Sequence, residues 1–86
     1  MDDIDVGILK AIYVKSHSSL IAPLFLLEMF NISDEEMGDR LEIMDGAGYV
    51  RAARGTYVPN LSLLNGIDNV GLTAKGRQIL RDKKLV

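Results

Sequence analysis

Cysteine is absent from this 86-residue chain, which excludes disulfides, thiolate metal sites and cysteine nucleophiles. Long apolar runs are absent as well. The longest, LIAPLFLL at residues 20–27, has eight residues, where a membrane-spanning helix needs about 20. A basic leader is missing, because the chain opens on the acidic MDDIDVG where a secretory signal carries positive charge. Histidine occurs once, as His17 among serines. It has no cysteine or second histidine to build a metal site with, and side chains adjacent in sequence rarely align as a serine–histidine pair. No phosphate-binding glycine loop or calcium-loop spacing is present. The expectation is a non-enzymatic cytoplasmic protein with no catalytic residues, no metal, no cofactor and no membrane partner.

What the chain does have is an ordinary globular composition, 48 % apolar and 26 % charged, with no internal repeat, low-complexity stretch or linker. A single domain over residues 1–86 is expected. A chain of this length buries only about 60 % of its unfolded surface, so a homodimer is expected too. Net charge is −2, but it is divided unevenly. Residues 1–50 hold ten acids against Lys10, Lys15 and Arg40, a net −7; residues 51–86 hold seven bases against Asp68 and Asp82, a net +5. Such polarity points to a charged partner or to self-association; equally, the halves can neutralise each other within one fold.

Apolar spacing places a first helix over residues 4–16, with Ile4, Ile8, Leu9, Ile12 and Tyr13 on one stripe and Asp2, Asp3 and Asp5 at the end where the dipole favours acids. A short second helix runs from about Pro23 to Phe30, with Asn31 as a left-handed terminator. The third helix has the clearest start. Ser33 and Glu36 fit a reciprocal capping box, Ile32 and Met37 fit a hydrophobic staple, and Met37, Leu41 and Met44 recur at i, i+4 and i+7. Gly46 or Gly48 ends it. Residues 49–53 read as a strand, Arg54-Gly55-Thr56 as a turn and Tyr57-Val58 as the returning strand. In the segment from Pro59 to Gly71, Leu61, Leu63 and Leu64 call for burial, and Asn65-Gly66 and Asp68-Asn69 for turns. A last strand at 70–72 adds to the sheet, and Thr73 caps a final helix containing Ile79 and Leu80. The fold class is therefore mainly α with a small antiparallel β wing, in the order helix, short helix, helix, strand, strand, helix.

Two passages, LEIMDGAGYV at 41–50 and GLTAKGRQIL at 71–80, carry a resemblance. The first resembles the passage from third helix into wing strand of winged helix-turn-helix domains; the second resembles the L-T-x-x-G-x-x-x-L that closes many of them. The whole pattern is most similar to small YjcQ-like winged-helix proteins of bacteria and their phages. The resemblance implies transcriptional regulation through DNA. The third helix argues against the usual way of doing so.

Six of the sixteen residues in SDEEMGDRLEIMDGAG are acidic. With Met37, Leu41 and Met44 inward, the opposite stripe is Glu35, Gly38, Asp39, Glu42 and Asp45. Arg40 sits at its flank, four residues from Glu36 and placed for an internal ion pair. That stripe offers no arginine, lysine, asparagine or glutamine, the side chains that make most specific base contacts. Gly38 there reads either as simple tolerance or as a point where another backbone comes close. Positive charge lies in the wing and last helix. DNA-backbone contact is accordingly expected from Arg51, Arg54, Lys75 and Arg77, without base readout. The competing reading is a protein-interaction module whose acidic face (Glu35, Gly38, Asp39, Glu42, Asp45) docks on a basic protein partner.

Overall fold

A computed structural model describes residues 1–16, 20–54 and 63–86. Helix α1 spans Asp3–Ser16, α2 Phe25–Met29, α3 Asp34–Gly46 and α4 Ala74–Asp82; strand β1 is Val50–Arg54 and β2 is Ile67–Leu72, giving the order α-α-α-β-β-α. This mixed α+β layout is the one expected, and it is compatible with a winged-helix fold. Among the described residues no helix is long and apolar enough to cross a membrane. His17, Gly55 and Thr56, the Tyr57-Val58 strand and Leu61 lie outside the described residues.

One apolar core joins all the elements. Ile8, Leu9 and Ile12 from α1, Leu26 from α2, Met37 and Leu41 from α3, Val70 from β2 and Leu80 from α4 are completely buried. Met37, Leu41 and Met44 face inward as their spacing requires. Burying a leucine, isoleucine or methionine side chain contributes about 1.5–3 kcal/mol, so this cluster is the main source of stability.

Among the described residues the partner of β1 is the strand expected at 70–72, which is longer than its composition suggests. It is β2, whose described strand begins at Ile67 rather than Val70 and runs antiparallel, with Val50 opposite Leu72, Ala52 opposite Val70 and Arg51 opposite Gly71. Asp68 and Asn69 lie within this strand rather than in a turn. Burial of Ile67, Val70 and Leu72 outweighs their turn propensity, as tertiary context often does. On its other edge β2 pairs with Ile21. The Ile21 N–H donates to the Val70 carbonyl at 2.9 Å, and the Val70 N–H donates back at 2.8 Å. The loop between α1 and α2 therefore supplies a one-residue third strand.

Local chemistry explains most element boundaries. The Ser33 hydroxyl accepts from the Glu36 N–H at 3.0 Å and starts α3. The Glu36 carboxylate does not complete the capping box; it takes the Arg40 guanidinium instead, where opposite full charges add Coulomb attraction to the hydrogen bonds. The α3 terminus is a Schellman turn with Gly48 at φ 88°, closed by Tyr49 N–H to the Met44 carbonyl at 2.9 Å and Gly48 N–H to the Asp45 carbonyl at 3.0 Å. Asn31 is not left-handed. Instead α2 ends on Phe30 in an extended conformation, so no left-handed terminator is used. Among the described residues, the left-handed ones besides glycine are Leu64, Asn65 and Lys84, with φ of 53°, 54° and 60°.

Candidate nucleic-acid interface and the acidic helix

The two passages that carry the resemblance meet in space. The Thr73 hydroxyl accepts from the Gly76 N–H at 3.0 Å and donates toward the carbonyls of Gly48 and Tyr49, at 2.6 and 3.0 Å. A Cβ on Gly76 would lie 2.2 Å from the Tyr49 carbonyl oxygen, so only glycine lets α4 sit this close to the end of α3. Lys75 donates to the Ala47 carbonyl at 2.8 Å. Its ammonium also lies 4.7 Å from the centre of the Tyr49 ring, which is half-buried. A lysine on the last carbonyls of α3 suits the negative end of that helix dipole. These residues form a structural joint.

On the α3 stripe derived by spacing, Glu35, Asp39, Glu42 and Asp45 are exposed and Gly38 is not. A turn at Leu63–Gly66 lies against α3 at Gly38, where an added Cβ would sit 2.7 Å from the Leu64 carbonyl carbon and 2.8 Å from the Asn65 Cγ. Gly38 is buried and belongs to no open stripe; the close backbone approach it permits is that of its own chain. The Asn65 amide donates to Asp39 at 2.8 Å and to Glu42 at 2.7 Å. Glu42 also pairs with Arg54, and Asp45 accepts from the Ala52 N–H at 3.3 Å. Helical periodicity then leaves Glu35, Asp39 and Ile43, four residues apart, along the open side, and Ile43 is 72 % exposed.

A second cluster neutralises the start of α3. Arg40 pairs with Glu36, as its spacing suggested, but its guanidinium also reaches Asp2 and Asp5, each at 2.9 Å. The Asp5 N–H donates to the Asp2 carboxylate at 2.9 Å. That bond, together with the Arg40 guanidinium, holds the Asp2 carboxyl below the usual carboxylate range. The hydrogen bonds from Asp2, Asp5 and Glu36 raise the Arg40 pKa further above its ordinary value. Sequence gave one signal for this cluster: Arg40 is the lone base in a strongly acidic stretch. Nothing local indicated that Asn65 would meet Asp39 and Glu42.

The four basic residues expected on DNA divide. Arg54 is engaged by Glu42 and by the Asn65 carbonyl, Lys75 by Ala47, and Arg77 by the Leu72 carbonyl at 3.5 Å. Arg51 is exposed and, among the described residues, has no side-chain partner. The same holds for Arg81, Lys83 and Lys84 beyond it in the chain. Helical spacing puts Arg77 and Arg81 on one flank of α4 and Lys75 and Asp82 on the other. Asp82 is occupied by the Gln78 amide at 2.8 Å. Because Arg77 reaches Leu72, that cationic flank adjoins the rung where Arg51 faces Gly71. Among the described residues, no three histidine, aspartate or glutamate side chains gather as a metal-holding group.

Helices with a two-stranded antiparallel sheet in this order define a chain compatible with the winged-helix layout. No protein-family model, curated protein or solved structure matches it.

Proposed function

We propose that this chain is a small DNA-associated regulatory protein of the winged helix-turn-helix type, akin to YjcQ-like proteins, that touches the phosphate backbone without reading bases. The contact surface is Arg51 with the Arg77–Arg81 flank of α4 and the adjacent Lys83 and Lys84. One observation carries the reading: the acids of α3 are largely tied to their own chain, while these cations have no carboxylate partner among the described residues. Phosphates attract such unpaired lysines and arginines, and the released counterions make binding salt-dependent. Arg54 and Lys75, engaged internally, serve the fold in this reading.

Fluorescence anisotropy on random duplex DNA across a salt series tests it. Affinity should fall steeply with salt, and charge reversal at Arg51 and Arg81 should weaken binding and flatten the slope by about one per lost phosphate contact. Absence of binding at low salt would refute the reading.

The exposure of Ile43 beside Glu35 and Asp39 favours a second reading, in which α3 docks on a basic protein partner. Reversing Glu35 and Asp39 should then abolish partner capture; capture that survives the change excludes this face.

A further inference from the structure

We propose that a second copy of this chain docks on the apolar face made by the end of α1 and by α2, forming a two-fold dimer. Among the described residues eight large apolar side chains are left exposed, and on this face they include Val14 at 61 % and Met29 at 60 %. Val14 and Met29 border a groove of about 380 Å³, whose lining also includes Ala11 and Phe25. Gly7 of α1 also lines it, near the end of α2. A Cβ at Gly7 would lie 3.0 Å from the Phe30 ring. Exposed apolar side chains bordering one groove make it a candidate interaction site.

Charge decides what covers it. Lys15 stands on the α1 side of the groove and Glu28 on the α2 side, with the Lys15 ammonium 5.9 Å from the centre of the Phe25 ring. Lys10, the other base of the lining, is held by the Leu85 carbonyl. Among the described residues, one base and one acid without an ion-pair partner therefore flank an apolar floor. In a two-fold interface residue i meets residue j and j meets i. Setting α1 of one copy on α2 of the other places Lys15 against Glu28 of the second copy, twice. An acidic peptide or an anionic membrane would meet Glu28 with like charge, and a basic peptide would meet Lys15. A copy of the same surface satisfies both. The extra burial also compensates for the limited core of an 86-residue chain. The proposal is independent of DNA binding.

Sedimentation velocity of the full chain at micromolar concentrations is the test, and a concentration-dependent dimer is expected. Val14→Glu combined with Met29→Glu should give a monomer with an unchanged far-ultraviolet spectrum. Lys15→Glu alone and Glu28→Lys alone should each weaken dimerisation by about tenfold or more, because each sets like charges together twice. The double variant Lys15→Glu, Glu28→Lys should restore it to within a few-fold, which separates lost association from lost folding. A protein that stays monomeric throughout would overturn the proposal. So would a dimer indifferent to both sets of changes, or a monomer that takes up an apolar dye saturably in this groove.

Discussion

Helices α3 and α4 are built to the same plan and carry opposite charge. Each starts on a hydroxyl cap, Ser33 or Thr73. Each buries one glycine against a neighbouring backbone, Gly38 or Gly76. Each ends in a Schellman turn with a left-handed residue, Gly48 at φ 88° or Lys84 at φ 60°. Their charges meet different fates. The α3 acids find Arg40, Arg54, Asn65 and the Ala52 N–H within the chain. On α4, Arg81 and the following lysines have no side-chain partner among the described residues. A helix's formal charge is thus a poor guide to what it offers a partner; what counts is the charge left over after the fold has taken its share.

The largest expected effect breaks the shared plan at α4. Gly76→Ala should lower stability by about 3 kcal/mol, since overpacking against an immobile carbonyl oxygen 2.2 Å away costs about 4 kcal/mol, above the common range, and the gain in helix propensity returns about 1 kcal/mol. A fall in Tm of more than about 10 °C by circular dichroism is expected; an unchanged Tm would show that α4 is not packed this way. The matching change in α3, Gly38→Ala, should cost about 2 kcal/mol. It is the milder of the two because one of the clashing groups is the Asn65 side chain, which can turn. Simple tolerance of glycine on an open face would instead make Gly38→Ala stabilising, so the sign of the measured change decides.

These two glycines also show how far the sequence could be read. Signals confined to one turn of chain were legible: the Ser33 and Thr73 caps, the Met37–Leu41–Met44 stripe and the left-handed Gly48 all depend on neighbours within a few residues. Gly38 was misplaced on the open face because its cover comes from Leu64 and Asn65, more than twenty residues downstream. An apolar stripe shows which side of a helix is buried and gives no hint of a second contact beside it. The extent of β2 was missed for a related reason. Asp68-Asn69 has the composition of a turn, and only pairing with β1 and with Ile21 makes it a strand. Of the site, the division of charge between the halves was visible, but which cations remain unpaired required the fold.

Replacing Arg40 with methionine probes the internal neutralisation of α3. It leaves Asp2, Asp5 and Glu36 facing one another, and should cost about 1–2 kcal/mol near neutral pH. Acid should distinguish the two proteins. The Asp2 carboxyl is held below its ordinary value in the folded state, so its contribution is complete above about pH 4 and is lost as pH falls through the lowered value. The wild type should therefore lose stability below about pH 4, and the Arg40→Met protein should lose less over the same range. Parallel curves in urea titrations at several pH values would contradict the cluster. The smallest expected effect is favourable: Lys84→Gly, at a left-handed position, should stabilise by about 0.5–1 kcal/mol, whereas Gly48→Ala at the equivalent place in α3 should destabilise.

The central claim is that the basic flank of α4 with Arg51, and not α3, is the surface turned toward a nucleic acid. A titration of isotopically labelled protein with a random DNA duplex at low salt, followed by amide nuclear magnetic resonance, tests this most directly. The account predicts shifts concentrated at Arg51, Arg77, Arg81 and the lysines after α4, with Glu35 through Asp45 unmoved. Shifts centred on Glu35, Asp39 and Ile43, or none at all, would contradict it.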